Sequence, residues 1–226
     1  LPHNGSILYE IPLNNQEWSR PIAINTQLLI IDGNTLKSFD YATGNKQWES
    51  NRILNPNYHI TANKKNIFAI HQNNTIIKIN AKTGKALWKK RVTGQIQKQP
   101  ILTETHLIIW SINDNQSHIV MALKKETGHI DWIHETPQNT ILTTLPSADN
   151  TQIYLQTNTP KLIALNIKTG EQNWKTLIPH TKKIAPLRAV ITNQTLLTST
   201  QTKEGPVLLE INKKNGLTIK TIPLKT

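Results

Sequence analysis

The stretch Ile-Ile-Lys-Ile-Asn-Ala-Lys-Thr-Gly-Lys-Ala-Leu-Trp, residues 76–88, decides the fold, because variants of it recur along the chain. Thr-Gly followed four residues later by Trp stands at Thr43-Gly44/Trp48, Thr83-Gly84/Trp88, Thr127-Gly128/Trp132 and Thr169-Gly170/Trp174. Two weaker copies flank these four. At the front, Asn14 takes the glycine place with Trp18 four residues on; at the back, Asn215-Gly216 keeps the turn while Lys220 replaces the tryptophan. With Asn14 in frame, the glycine positions step by 30, 40, 44, 42 and 46 residues, a period that suits the blades of a propeller and not a coiled coil or a helical solenoid.

Each copy has a physical reading. A strand such as Leu162–Leu165 runs into a turn where Gly170 supplies the positive φ that a tight reversal needs, and the chain returns with Trp174 on the next strand. Such a ring wedges between neighbouring sheets and buries roughly 150–250 Å². Four residues before the glycine stand Glu10, Asp40, Asn80, Lys124, Asn166 and Asn212. A short polar side chain there can hydrogen-bond the turn backbone, which Lys124 cannot do.

The expected architecture is an all-β propeller domain over residues 1–226, with five complete four-stranded modules and a leading hairpin at Ile7–Pro12 and Gln16–Trp18. The modules run from Pro21 to Trp48, Tyr58 to Val92, Pro100 to Glu135, Leu145 to Leu177, and from near Pro186 to near Leu224. Prolines 21, 100, 146 and 186 stand at first-strand starts, where a missing ladder donor is tolerated. No window keeps a 3.6-residue apolar stripe, and no run approaches the roughly 18–20 apolar residues of a membrane span. Zero cysteines exclude a disulfide framework, thiol catalysis and cysteine metal sites. A lipid-anchored N-terminus would also need a Cys, and the chain opens on Leu1.

The net charge of +12 invites a nucleic-acid reading, but the lysine pairs 64–65, 89–90, 124–125, 182–183 and 213–214 are spread over successive turns. Solvated turns explain them, with a general attraction to acidic partners or anionic surfaces and no specific nucleic acid.

The sequences Ile-Asn-Ala-Lys-Thr-Gly-Lys-Ala-Leu-Trp (79–88) and Ala-Leu-Asn-Ile-Lys-Thr-Gly-Glu-Gln-Asn-Trp (164–174) resemble the repeat of the PQQ-like, or quinoprotein-dehydrogenase-like, β-propellers. One branch of that superfamily holds a quinone and calcium. Another, which contains the propeller subunit of the outer-membrane β-barrel assembly machinery, is a non-enzymatic scaffold, and the chain is most similar to this branch. The resemblance implies a protein partner of the cell envelope and a periplasmic or outer-membrane-associated location. Two rival readings are a fragment of a quinoprotein oxidoreductase and a ligand-binding or sensor propeller of a larger protein. Against the first, the vicinal disulfide of that branch is impossible here and no calcium cluster is recognisable.

The residues singled out are the repeat glycines 44, 84, 128, 170 and 216 and the repeat tryptophans Trp18, Trp48, Trp88, Trp132 and Trp174, read as turn and core residues. Trp110 lies between Ile109 and Ser111, outside the repeat position, and is the candidate partner contact, with core packing as the plainer alternative. The eight histidines show no ligand spacing, and neither a nucleophile elbow nor a phosphate loop occurs. No catalytic, cofactor-binding or metal-ligating residue is therefore assigned.

Overall fold

A computed structural model describes residues 7–14, 18–50, 60–71, 73–178 and 189–224. Among them every regular element is a β-strand. The chain divides into two compact units, Leu1–Pro100 and Ile101–Thr226.

The first unit holds two antiparallel sheets in chain order. One comprises β1 (Ile22–Ile24), β2 (Gln27–Asp32), β3 (Thr35–Asp40) and β4 (Lys46–Ser50). The other comprises β5 (Thr61–Ala62), β6 (Asn66–His71), β7 (Thr75–Asn80) and β8 (Ala86–Arg91). A short β9 (Gln95–Ile96) follows, its Ile96 amide donating to Asn74 Oδ1 at 3.1 Å. Leu29, Ile31 and Leu36 of the first sheet interleave with Ile67, Ala69, Ile77 and Ile79 of the second. Strand alternation places these side chains on facing surfaces, so the core lies between sheets.

The second unit repeats this plan three times. Its sheets run β10 (Ile101–Leu102), β11 (His106–Ile112), β12 (His118–Lys124), β13 (Ile130–Glu135); then β14 (Ser147–Ala148), β15 (Gln152–Gln156), β16 (Lys161–Asn166), β17 (Gln172–Leu177); then β18 (Val190–Ile191), β19 (Thr195–Thr202), β20 (Gly205–Asn212), β21 (Thr218–Pro223). Val120, Ala122 and Trp132 pack on Ile153, Leu155 and Leu165, while Tyr154, Ala164 and Trp174 pack on Leu196, Leu209 and Ile211. Pro21, Pro100 and Pro146 each stand immediately before a short first strand, where no ladder donor is lost. Pro186, Tyr58 and Gln16 lie outside the described residues.

The repeat turn is built the same way in all five sheets. Gly44 has φ 73° and its amide donates to Asp40 O at 2.9 Å, while Asp40 N donates to Asn45 O at 2.8 Å. Equivalent bonds close the turns at Gly84, Gly128, Gly170 and Gly216. Asp40 Oδ1 accepts from the amides of Ala42 and Thr43, and Asn80 and Asn166 do the same two and three residues on. At Lys124, which lacks a short acceptor, the amide of Thr127 turns to the Lys124 carbonyl at 3.2 Å. The pairing of third and fourth strands shifts register at one place in each of the five sheets, close to the turn.

The leading hairpin is a correction. Ile7–Leu13 carries no strand, and Trp18 forms an isolated antiparallel bridge to Asp32. The amide of Ser19 donates to Ile31 O at 2.9 Å, so Trp18 and Ser19 lie alongside the end of β2. Trp18 is 56% exposed and does not cover a repeat glycine, a place that Tyr9 holds.

Candidate functional site

The junctions between consecutive sheets within each unit are where the repeat residues meet. Trp48, on β4, lies against Gly84 of the next sheet and donates Nε1–H to Ala81 O at 3.1 Å. Trp132 repeats this against Gly170, with Ile167 O at 2.9 Å, and Trp174 against Gly216, with Lys213 O at 2.7 Å. In each case the acceptor is the residue three before the glycine. A Cβ on Gly84 would fall 2.5 Å from the Trp48 ring, so glycine is required both by φ and by the approach of the indole. The cross-strand partners Ser38, Ala122 and Ala164 are small, which lets the rings lie down on the sheet.

Tyr9 makes the same contact in front of the first sheet. Its ring covers Gly44 and its hydroxyl donates at 2.7 Å to Tyr41 O, again three residues before the glycine. Tyr9, and not Trp18, thus stands where the tryptophan stands elsewhere. The signal was present in the sequence: Asn4-Gly5 precedes Tyr9 by four residues, which also replaces the irregular first step of 30 by one of 39.

Burial differs among the rings. Trp132 and Trp174 are 8% and 7% exposed, whereas Trp48 and Trp88 are half-buried, short of the full burial expected of them. Trp88 packs beside Phe68, with ring centroids 6.0 Å apart, and faces the buried Lys78 across the strands. In the last sheet the pair Glu210 and Lys220 occupies the cross-strand place of Ala164 and Trp174.

Trp110 is half-buried, packed against the core that joins the first two sheets of the second unit. Its Nε1–H donates to His118 Nδ1 at 3.2 Å, and the amide of Leu142 donates to the same nitrogen at 3.1 Å. Burial pushes the His118 pKa below its ordinary value, and two donors to Nδ1 need the neutral ring. Burial also lowers that of His134.

Three described aspartates are engaged in separate ion pairs. The buried Asp32 pairs with Lys37 at 2.6 Å. Asp131 meets His106 Nε2 at 2.9 Å and Lys124 Nζ at 3.1 Å, and the hydrogen bond from His106 leads in lowering its pKa. Asp149 meets Lys213 Nζ at 2.5 Å; burial raises its pKa, but the bonds from Lys213, Thr151 and Gln152 outweigh burial and bring it to about 2. The Tyr154 hydroxyl donates to Asp149 at 3.2 Å, and burial holds that phenol well above its usual range.

A calcium ion takes 6–8 oxygens with carboxylates among them. Among the described residues no three His, Cys, Asp or Glu side chains gather as a metal-holding group, and the carboxylates above face cations or their own turns. The described residues therefore do not fit the quinone-calcium site of the quinoprotein branch.

A cleft opens at one of these junctions, among the described residues. It measures about 450 Å³, lies between the two sheets of the first unit beside Trp48, and is lined by Asn25, Gln27, Gln47, Trp48, Lys64 and Lys82. Sequence reasoning missed it, because its residues come from four separate turns and strands.

Comparison with known proteins accords with this architecture. The family described as outer membrane protein assembly factor BamB matches residues 32–219. An uncharacterized protein of Rickettsia prowazekii is 28% identical over 142 residues, covering 56% of this chain and 33% of that protein, so the chain spans about a third of this relative's length. The crystal structure of BamB from Moraxella catarrhalis superposes with a TM-score of 0.58 at 15% identity, covering 87% of this chain and 57% of the other. Quinohemoprotein alcohol dehydrogenase from Comamonas testosteroni gives 0.62 at 14% identity, with 94% and 43% covered. These two likenesses carry the propeller fold.

Proposed function

The chain belongs to the family of the outer membrane protein assembly factor BamB, a PQQ-like β-propeller family, and from that premise we propose that it is a non-catalytic scaffold for protein–protein interaction in a bacterial cell envelope. Its setting is the periplasm or the periplasmic side of the outer membrane, and the process it serves is outer-membrane protein assembly. The observation that carries the reading is the family match over residues 32–219. The chemistry agrees with it. Repeat glycines and tryptophans are consumed in packing, and Asp40, Asn80 and Asn166 in capping their turns. What remains for recognition is surface: turns and outer strands that expose Ile133, Leu177, Leu217 and Ile219 on a stiff framework.

Photo-cross-linking in intact cells, with probes at the exposed positions Ile133, Leu177, Leu217 and Ile219, tests the reading. Capture of an envelope protein is the expected result. Stoichiometric binding of pyrroloquinoline quinone with calcium, followed by dye-linked alcohol oxidation, would overturn it.

A further inference from the structure

The cleft beside Trp48 differs from the corresponding places of the second unit in a way that defines a ligand. In the junction of the last two sheets, the residue three before the glycine is Lys213, and its Nζ reaches back to Asp149, which precedes the β14–β15 turn. In the junction of the first unit those two places are held by Ala81 and Ile24. A methyl and an aliphatic branch carry no charge, so the ion pair that spans the last junction has no counterpart in this one.

The cations stand elsewhere at this opening. Lys82, two before Gly84, and Lys64, in the β5–β6 turn, both line the cleft, both are exposed, and neither forms an ion pair among the described residues. A lysine two before the glycine is common to the repeat, as Lys168 and Lys214 are. The turn residue is not: Asn150 and Asn193 take the place of Lys64 in the last two sheets. The doublet of free cations is therefore particular to this junction.

The remaining walls present amides and an indole. Asn25 Nδ2 donates to Lys64 O at 2.9 Å and so fixes the lysine turn against the first sheet. Gln27 donates to Gln47 Oε1 at 2.8 Å, Ser38 donates to the same oxygen at 3.2 Å, and Gln47 Nε2 points to Asp40 Oδ2 at 3.5 Å. Asp40 is the acid nearest the cleft along this chain of bonds, and its other oxygen caps its own turn. The amides are thus ordered before any ligand arrives, and the half-buried Trp48 adds an apolar wall held by its bond to Ala81.

We infer that this cleft is a docking site for an acidic peptide segment of a partner protein, with Lys64 and Lys82 receiving its carboxylates and the Gln27–Gln47 pair and Trp48 receiving its backbone and an adjoining side chain. The inference rests on the scaffold reading and names the chemistry of its partner. About 450 Å³ falls within the range of roughly 300–1,000 Å³ for ligand clefts and accommodates a few residues. Carboxylates complement two unpaired ammonium groups, and peptide amides complement side-chain amides that both donate and accept. A nucleic-acid strand would call for a continuous track of cations along its phosphates, where this cleft offers two.

The test uses the full chain and a fluorescent peptide, Gly-Asp-Glu-Trp-Asp-Gly, in anisotropy titrations at low salt, with Gly-Asn-Gln-Trp-Asn-Gly as the neutral counterpart. Wild type should bind the acidic peptide saturably and the neutral one at least tenfold more weakly. The exposed pair Lys64→Glu/Lys82→Glu should lose at least tenfold affinity at an unchanged melting temperature, and Lys64→Arg/Lys82→Arg should retain it. Lys168→Glu, at the same repeat place in another junction, should bind as wild type does. Equal binding by the Lys64→Glu/Lys82→Glu variant, equal loss in Lys168→Glu, or no saturable binding would each overturn the inference. So would binding of phosphatidylglycerol vesicles, lost in the double variant, without binding of the peptide. Peptide binding without any cross-linked envelope protein in cells would leave the cleft standing and remove the scaffold reading; cross-linking without peptide binding would do the reverse.

Discussion

Trp48 and Trp174 do the same thing in two places with different surroundings. Each covers a glycine of the following sheet and donates to the carbonyl three residues before it. Around Trp174 the space is closed by Tyr154, by Asp149 with Lys213, and by Gln152, whose Nε2 donates to Lys213 O at 2.9 Å. Around Trp48 the corresponding positions are Ile24 and Ala81, and a cleft remains. The shared geometry is what keeps the repeat; the residues beside it decide whether a junction is sealed or open to a ligand.

The sharpest way to break this comparison is to remove the rings. Trp174→Ala should cost about 3–5 kcal/mol, as expected for deletion of a buried aromatic side chain, while Trp48→Ala, on a half-buried ring, should cost roughly half as much. Denaturant midpoints measure both, and equal losses would mean that the junctions do not differ in packing. Gly84→Ala comes next, at about 2–4 kcal/mol, because a left-handed φ of 68° and a Cβ 2.5 Å from the Trp48 ring act together. The same substitution at Gly205, which has φ 133° but nothing within 4 Å of a Cβ, should destabilise through backbone strain alone.

A smaller effect separates the sealed junction by charge. A double-mutant cycle of Asp149→Asn and Lys213→Met should give a coupling on the order of 1 kcal/mol, and no coupling would mean that the ion pair merely accompanies packing. The smallest effects are in pH. Asp149 titrates near 2 when folded and from 3.8 as its ordinary value, so its contribution is complete above that value and is lost as pH falls towards 2. His118 is also depressed, from 6.5, by burial. The unfolded state then takes up its proton first, and stability should decline as pH falls through about 6.5. Melting temperatures at pH 8, 5.5 and 3 check both signs, and Asp149→Asn should flatten only the acid end.

Much of the fold was legible because the repeat turn is local. Asp40, Thr43 and Gly44 satisfy one another within six residues of chain, and Asn215 substitutes for threonine by accepting from the Leu217 amide at 3.1 Å, as Thr43 accepts from Asn45 at 3.3 Å. In the leading fragment a tyrosine stands in for the tryptophan, since Tyr9 keeps both the ring and the donor that the glycine contact uses. Trp110 was legible as an exception but not in its setting, because the bond to His118 depends on how β11 pairs with β12.

By itself the sequence determined the strand-turn-strand unit, its period and the all-β class, because these follow from contacts between residues close along the chain, where glycine, asparagine and tryptophan each have few alternatives. Only the tertiary structure decided which tryptophans are sealed, that Asp149 finds Lys213, and that Asn25, Gln47, Lys64 and Lys82 share one opening. Those outcomes depend on side chains that meet across sheets, from residues distant in sequence, which no local pattern of the repeat specifies.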